Sequence, residues 1–310
     1  MKITDLSHRE MARQLSGNGL PIKIGPFWIN LRSVIPDLLR HIAFFYAQYE
    51  TTASERFFDF HITLKKSGGL RRWVKPQANF LLDEYAPFKP LPYVHAFAMF
   101  EWGLNWCIAT TAHHYLIVHA AVLEKDGQGI IMPGVPGSGK STLCAAMSLR
   151  GWRLLSDEMA LLDPVSLDIS PVPRPVSLKN ESIGVINDFS ATAEMGPAAK
   201  DTAKGTVAHL KPSLSSVQKA TVTCRPNAIV FPKYRAESDT CLTEKAKTRA
   251  LMEIQENAFN THILGKDGFD SAKALISNCP VYSLEYSRLE EALMTMDNIL
   301  DDAEVVPDHG

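Results

Sequence analysis

The sequence predicts an α/β protein with a smaller, mainly β module at its N-terminus. In the first third of the chain, short apolar runs at 27–31 and 56–66 are typical of strands. From residue 115 onward the pattern changes to strand, turn, strand, loop and helix. A glycine-rich segment at 134–141 follows a short apolar strand directly and leads into a helix. This order of elements is typical of an α/β domain with a ligand-binding loop after a buried strand.

The predicted N-terminal unit is an α+β module that comprises residues 1–112, with mainly antiparallel strands. Residues 4–16 are expected to form a short amphipathic helix. In the segment 56–66 apolar and polar residues alternate, which indicates a strand with one apolar face, and a further strand is predicted at 78–85. Residues 95–112 are predicted to form an apolar helix whose aromatic side chains lie in the core.

The predicted second unit comprises residues 113–303 and begins with strands at 115–123 and 129–134. A helix over 141–150 is followed by a strand over 152–163 that carries acidic residues. The segment 187–220, rich in Ser, Ala, Thr, Pro and Lys, is predicted as a loop region with one short helix. The remaining predicted elements are strands at 227–234 and 281–287 and helices at 247–259, 270–278 and 288–300.

Composition and charge argue against several classes of protein. The 310 residues carry 32 Lys and Arg against 34 Asp and Glu, a net charge of -2, so the whole chain shows no electrostatic footprint for nucleic acid. A local basic face remains compatible with this neutral total. The five cysteines form no C-x-x-C pair, which argues against a disulfide framework and a zinc site. The N-terminal residues lack the apolar core of a signal peptide and no run is long enough for a membrane span, so we expect a cytoplasmic protein.

The glycine-rich segment fits the phosphate-binding pattern G-x-x-x-x-G-K-[ST]. Glycine removes the Cβ atoms that would keep backbone N–H groups from converging on phosphate oxygens, and the following helix directs its positive end at the same anion. Lys140 would reach the β- and γ-phosphates, and Ser141 would place its hydroxyl on Mg²⁺. The predicted nucleotide-binding residues are Gly134, Pro136, Gly137, Ser138, Gly139, Lys140, Ser141 and Thr142. The loop therefore predicts ATP and Mg²⁺ as cofactors without indicating the fate of the γ-phosphate.

Two adjacent acids, Asp157 and Glu158, follow the strand after the loop's helix. Ligands of open α/β sheets collect at the carboxyl ends of the strands, so these carboxylates are expected beside the γ-phosphate and its metal. One could hold Mg²⁺ while the other accepts a proton from an attacking hydroxyl; a solvated strand end is the alternative. Only 16 residues separate Lys140 from Asp157, which favours adjacent strands, as in kinases, over an ATPase motor.

Four further residues are weaker candidates. His119 precedes the strand that leads into the loop, where a lone histidine among apolar residues more often has a structural role. Arg174, Lys179 and Lys204 could supply cations to the transferring phosphoryl group or contact an acceptor. Ordinary surface charge is the alternative for each of these three.

The pair His119–Ala120, the glycine-rich loop and the segment GWRLLSDE together resemble the catalytic domain of the HPr serine kinase/phosphorylase family. The run RPVSLKNESIGVI is most similar to the HPr-kinase-related proteins of the kinase A type. The resemblance covers about residues 115–184 by motif and extends to about 300 by the order of elements. It implies a P-loop kinase-like domain with a central mixed sheet flanked by helices.

The resemblance also implies roles for individual residues. His119 corresponds to the family's catalytic-site histidine, and Lys140 and Ser141 to the phosphate-loop pair. Asp157 corresponds to the acid/base aspartate and Glu158 to the second acid, on the side of the metal.

Two departures from the family pattern limit what the resemblance implies. Ala120 stands where the family has glycine, and Glu158 where it has aspartate, which leaves kinase chemistry plausible and does not favour the reverse phosphorolysis. The family's docking region for HPr has no match, so HPr is not the expected substrate. We expect an ATP- and Mg²⁺-dependent kinase that acts on a hydroxyl, in the first place serine, of an unidentified protein, peptide or small molecule. An ATP-binding regulatory or scaffold module without phosphotransfer is the alternative, and homo-oligomers remain open.

Overall fold

The computed structural model describes residues 1–68 and 75–303, with side chains as far as residue 300. The described chain is a mixed α/β fold with four sheets: one of five strands near the N-terminus, one of six strands, and two of three strands. The strand and helix content agrees with the predicted α/β class.

The five-stranded sheet is mainly antiparallel. Its strands, in spatial order, are β1 (Leu20–Ile24), β2 (Phe27–Ser33), β3 (Phe60–Lys66), β4 (Gln77–Leu82) and β5 (Leu91–Pro92). Only β2 and β3 pair in parallel. Three helices pack on it: α1 (His8–Ser16), α2 (Pro36–Phe45) and α3 (Ala96–Thr111). Neither β1 nor α2 is indicated by the sequence patterns discussed above.

Two boundaries in this part of the chain differ from the prediction. Helix α1 begins at His8 and not at residue 4, because Ser7 and Glu10 form a reciprocal capping box that fixes the first turn there. Strand β3 begins at Phe60 and not at residue 56, since Phe60 is the first residue of the strand that pairs with β2. Within β3, Phe60, Ile62 and Leu64 are buried while the intervening residues are more exposed, which confirms the alternating pattern.

The rest of the chain supplies twelve strands and seven helices to the described structure. The strands are β6 (Leu116–Val118), β7 (Ala120–Lys125), β8 (Gln128–Pro133), β9 (Arg153–Ser156), β10 (Ala160–Leu162), β11 (Ile169–Ser170), β12 (Val176–Lys179), β13 (Ala199–Thr202), β14 (Gly205–Leu210), β15 (Arg225–Tyr234), β16 (Cys241–Glu244) and β17 (Val281–Tyr286). The helices are α4 (Lys140–Leu149), α5 (Glu181–Phe189), α6 (Leu214–Gln218), α7 (Lys247–Asn257), α8 (Thr261–Leu264), α9 (Lys266–Asn278) and α10 (Leu289–Ala303).

The six-stranded sheet is mixed and has helices on both faces. Its order is β16-β17-β15-β8-β7-β9, in which β8, β15 and β17 run parallel and the other pairs are antiparallel. Alternate residues of its strands enter two different apolar clusters. One cluster includes α4 and α10, and the other includes α7 and α9. Such a sheet buries both faces, which explains the continuous apolar runs of β8 and β15 in the sequence.

The predicted strand over 152–163 is two strands in two different sheets. Strand β9 belongs to the six-stranded sheet, whereas β10 pairs with β6 and β11 in a three-stranded sheet. The acidic pair, Asp157 and Glu158, lies in the short link between them.

Strand β9 is not adjacent to β8, and the expectation drawn from the 16-residue spacing was wrong. Strand β7 lies between the two and pairs with both. The reason is a tight hairpin: Asp126 and Gly127 both have positive φ and join β7 to β8 by a two-residue turn. With one edge of β8 occupied by β7, the strand that follows α4 pairs with the free edge of β7.

The segment 187–220 is not the loop region that its polar composition predicted. It contains the hairpin of β13 and β14, which pairs through β14 with β12, and the short helix α6. Strand β14 is buried over Val207–Leu210. The Ser, Thr, Pro and Lys residues that suggested a loop lie mainly outside this buried stretch.

Candidate functional site

The glycine-rich segment forms the loop between β8 and α4. Gly139 is the N-cap of α4 with φ +86°, a conformation that favours glycine. A Cβ at Gly139 would lie 2.5 Å from Tyr286 Oη, and a Cβ at Gly134 would lie 2.7 Å from Ser138 Oγ. Position 139 therefore favours glycine for both backbone and steric reasons, since Tyr234 Cβ would also lie 2.8 Å away, whereas the clash at Gly134 is with the end of a serine side chain. The loop's backbone lies at the N-terminus of a ten-residue helix, where N–H groups favour an anion.

Two tyrosines at the carboxyl ends of β15 and β17 hold this loop against the six-stranded sheet. The backbone N–H of Tyr234 donates to the carbonyl of Ser138 at 2.8 Å. The hydroxyl of the buried Tyr286 donates to the carbonyl of Gly139 at 3.0 Å. The sequence motif gave no signal for either residue, because both come from the far end of other strands.

Lys140 is buried and lies at the first position of α4. Its Nζ donates to the backbone carbonyl of Asp157 at 2.8 Å. An ammonium group has three donors, so one bond to Asp157 leaves two for a further ligand. The bond also connects the loop to the acidic link after β9.

Asp157 is 5% exposed, and its two carboxylate oxygens differ in their surroundings. Oδ2 accepts from the backbone N–H of Ser177 at 3.2 Å, whereas Oδ1 has no hydrogen-bond partner among the residues the structure describes. Burial raises the pKa of Asp157 above its ordinary value, and the charge of Glu158 acts in the same direction. Lys140 and the neighbouring Ser141 hydroxyl oppose this shift without cancelling it.

Glu158 is more exposed than Asp157 and its pKa shifts in the opposite direction. Burial acts to raise the pKa of Glu158, but nearby cations outweigh it and the pKa is lowered. The permanently charged groups among them are Lys140, whose effect is the largest, Lys179 and Lys204. The two neighbouring carboxyls thus differ: one is held towards its neutral form and one is held charged.

His119 lies between β6 and β7, next to the acidic link. Its Nδ1 donates to the backbone carbonyl of Glu158 at 3.0 Å and lies 3.5 Å from the carboxylate Oε2 of the same residue. Because a carbonyl only accepts, Nδ1 carries the proton and Nε2 keeps its lone pair. Burial, then the charge of Lys140, lowers the pKa of His119, while Glu158 acts against this shift. The residue is therefore a neutral imidazole beside the acids.

The three candidate cations have different surroundings. The Arg174 guanidinium donates through Nη1 to Glu101 of α3 at 3.2 Å and through Nη2 to Asn105, so its partners belong to the N-terminal unit. Lys179 is the last residue of β12, and Lys204 lies in the turn between β13 and β14. Both lysines lower the pKa of Glu158. The structure thus brings Lys179 and Lys204 towards the acids and gives Arg174 another partner.

The remaining predicted loop residues lie as follows. Pro136 and Gly137 are exposed, and Ser138 Oγ is buried without a hydrogen-bond partner in the described ranges. Ser141 lies beside Asp157, and Thr142 Oγ1 donates to Ser182 Oγ at 2.9 Å. All eight predicted nucleotide-binding residues thus occupy one loop and the first turn of α4.

Two residues next to Asp157 were not indicated by sequence. The backbone N–H of Ser177 holds its Oδ2, and the buried Cys144 thiol lies close enough that Asp157 contributes to raising its pKa. Burial is the larger cause for Cys144. A backbone donor leaves no trace in residue type, so no sequence pattern could have revealed Ser177.

Within residues 1–68 and 75–303, no group of three or more His, Cys, Asp or Glu residues is arranged to hold a metal ion. None of the helices in that part of the chain combines the length and apolarity needed to cross a bilayer.

No family model matches the chain, and no curated protein matches it. Among solved structures, the Hpr(Ser) kinase/phosphatase from Coxiella burnetii is similar over 61% of this chain and 96% of that chain, at 12% sequence identity and a TM-score of 0.30. This is a distant likeness of fold, too loose to assign roles to individual residues.

Proposed function

We propose that this protein is an ATP- and Mg²⁺-dependent kinase that transfers the γ-phosphate to a hydroxyl group, in the first place a serine. The observation that carries the proposal is the pair Asp157 and Glu158, whose pKa values are shifted in opposite directions beside Lys140. Two carboxyls with divergent pKa values divide the work of a proton acceptor and a permanently charged group.

Asp157 is the proposed proton acceptor. A raised pKa lies closer to neutral pH, which makes the carboxylate of Asp157 a stronger proton acceptor. Its Oδ1 is the oxygen without a hydrogen-bond partner in the described chain. Oδ2, held by Ser177, fixes the orientation of the group. In the proposed step the acceptor O–H gives its proton to Oδ1, the acceptor oxygen bonds to the γ-phosphorus, and the bond to the leaving ADP breaks.

The donor side of the site fits a nucleotide with Mg²⁺. Hard oxygen ligands suit Mg²⁺, which in phosphoryl-transfer sites uses one or two carboxylates together with substrate phosphates. The Ser141 hydroxyl and the charged Glu158 are the proposed Mg²⁺ ligands. Asp157 lies beside Ser141, and its buried Oδ1, which has no hydrogen-bond partner in the described chain, fits an oxygen-lined site for this ion. When bound, the ion would neutralise charge on the phosphates. Lys140, with two free donors, would bind the β- and γ-phosphates.

His119 has a proposed supporting role. Its Nδ1–H bond to the Glu158 carbonyl holds the link that carries both acids, and its neutral state avoids a further positive charge there. Lys179 and Lys204 are proposed to face the acceptor or the transferred phosphoryl group, since both act on Glu158.

Binding and transfer are tested separately. Mg-ATP binding is measured by calorimetry, and transfer is followed by mass spectrometry of acceptors in a cell extract. We expect Lys140→Met to lose both, and Asp157→Asn to keep nucleotide binding while losing transfer by a factor of about 10²–10⁴, as for removal of a general base. Lys233→Met, at an exposed lysine of β15 paired with Glu285, is the matched control and should behave as the unaltered protein.

The outcomes separate the proposal from its alternative. Equal transfer by Asp157→Asn would exclude Asp157 as the proton acceptor. Tight Mg-ATP binding by the unaltered protein, with no phosphorylated acceptor under any condition, would favour a regulatory or scaffold module that binds ATP.

A further inference from the structure

A cavity of about 480 Å³ lies away from the glycine-rich loop, between α2 and the start of α3 on one side and the β13–β14 hairpin on the other. None of the residues 134–142 lines it. Its volume is within the range of about 300–1,000 Å³ that is typical of small-molecule sites, which often lie where two structural units meet. It is therefore a second place where this chain could bind a small ligand.

The wall of the cavity contains planar rings held in fixed orientations. The rings of His41 and Phe97 both line it and stack with centroids 4.9 Å apart and planes 13° apart. Phe45 stacks on Phe97 at 4.8 Å and 9° and lies 6.2 Å from His41 at 9°, so the three ring planes are nearly parallel. A planar aromatic molecule would find a preorganised surface here, because offset or edge-on contact with such rings is favourable.

One buried polar group also lines the cavity. His209, on β14, is 4% exposed, and its Nε2 has no hydrogen-bond partner among the residues of known placement. Buried polar atoms are nearly always hydrogen-bonded, so this unpartnered atom is a candidate for ligand contact. Because Nε2 is shielded from the cavity, a ligand would reach it by turning the His209 ring. Burial lowers the pKa of His209 to about 3, so the imidazole is neutral at physiological pH and suits a neutral hydrogen-bonding group.

Among the described residues that line the cavity, the charges of Asp37 and Arg40 balance each other. Asp37 and Arg40 both line it and are paired with each other as an ion pair. The Arg40 side chain is largely exposed, so these charges lie at the rim. Bringing a charged ligand against the neutral His209 would therefore cost desolvation without a compensating ion pair.

The cavity is connected to the acidic link through one pair of strands. His209 of β14 lies directly opposite Ser177 of β12 in the antiparallel register. The N–H of Ser177 is the group that holds Oδ2 of Asp157 at 3.2 Å. A displacement of His209 would therefore reach Asp157 through a single strand neighbour.

We propose that this cavity binds a small, planar, uncharged aromatic molecule that hydrogen-bonds to His209, and that its occupancy is transmitted across β14 and β12 to Asp157. This goes beyond the proposed kinase function and does not depend on it.

The test uses indole, which is planar and neutral and has one N–H donor, with the full chain and no nucleotide. Nuclear magnetic resonance follows the His209 imidazole and the Ser177 amide during titration. We expect saturable shifts of both signals. Ala199→Phe, which fills the cavity from β13, should weaken indole binding by a factor of about ten or more. Lys200→Phe places the same ring at the next residue, which is exposed and does not line the cavity, and should leave binding unchanged.

Three results would overturn ligand binding in the cavity, and a fourth would overturn the transmission to Asp157. The first is that no shift occurs with indole at millimolar concentrations. The second is that benzoate or cyclohexanol, which are charged and non-planar respectively, binds as tightly as indole. The third is that Ala199→Phe binds indole as the unaltered protein does; Ala98→Leu, which fills the opposite wall, serves if the first variant does not fold. A shift of His209 without one of Ser177 would overturn the transmission to Asp157. Because no nucleotide is present, failure of the kinase proposal would leave these results unaffected.

Discussion

Replacing Arg174 with methionine tests whether its guanidinium is structural or binds phosphate. The side chains of Arg174 and Glu101 are each 6% exposed, and Nη1 lies 3.2 Å from Oε2. The Tyr46 hydroxyl donates to the other oxygen of Glu101 at 2.6 Å, and Asn105 accepts from Nη2. All of these partners are internal, so the variant leaves a carboxylate buried without a countercharge.

The expected loss of stability follows from this burial. Removing one partner of a buried ion pair costs about 3–5 kcal/mol. Burial already raises the pKa of Glu101, so in the variant the carboxyl can take up a proton instead of remaining charged. We therefore expect a loss near the lower end of this range of free energies. A loss of about 3 kcal/mol corresponds to a fall in melting temperature of about 5 °C for a chain of this size, because the entropy of unfolding grows with chain length.

Urea denaturation of Arg174→Met, Glu101→Leu and the double variant measures the effect. The double variant should recover much of the loss, because apolar residues in place of both partners of a buried ion pair are often neutral or stabilising. If Arg174→Met stays within about 0.5 kcal/mol of the unaltered protein and loses Mg-ATP binding, the structural account is wrong and Arg174 contacts phosphate.

Three further predictions concern pH and the loop. Burial raises the pKa of Asp157, so the rate of the proposed phosphate transfer should fall on acidification at a pH above the ordinary aspartate value of 3.8, and an acidic limb at or below 3.8 would contradict the proposed role of Asp157. The pKa of His209 is depressed to about 3 in the folded chain, so the unfolded chain takes up a proton first as the pH falls. The contribution of neutral His209 to the free energy of unfolding is therefore complete above about pH 6.5 and is lost towards pH 3, by at most about 1.4 kcal/mol per pH unit. Urea titrations across that range should give a shallower pH dependence for His209→Phe, and identical curves would refute the assignment. Gly139→Ala should lose about 2 kcal/mol of unfolding free energy and most nucleotide binding, because it adds a clash with Tyr286 to the cost of positive φ. The control Gly151→Ala is also at positive φ but has no atom within 4 Å, so it should lose only about 1 kcal/mol. Equal losses of stability in the two variants would exclude the clash.

Local signals allowed the loop and its flanking elements to be predicted. The run of apolar residues before Gly134 and the helix formers after Gly139 decide their own conformation, and both β8 and α4 appear within one residue of the predicted bounds. The same holds for the helix at 95–112, found at Ala96–Thr111. In each case the side-chain pattern within one element carries the information.

The pairing of elements could not be predicted in the same way. Arg174 and Glu101 are 73 residues apart, and nothing in either segment names the other as its partner. The order of β8, β7 and β9 did have a local signal, since Asp126–Gly127 is a typical two-residue hairpin turn, but spacing alone suggested the wrong neighbour. Ser177 acts through its backbone, so its residue type carries no information about Asp157.

The apolar core of the five-stranded sheet has a consequence for how the chain unfolds. It includes Ile117, Met159, Leu161 and Val172, which all come from beyond residue 112. Met159 follows the acidic pair directly, so melting of the N-terminal sheet would release the segment that holds Asp157. Calorimetry should therefore record one cooperative transition for both halves, and a fragment that starts at residue 113 should expose these four side chains and aggregate.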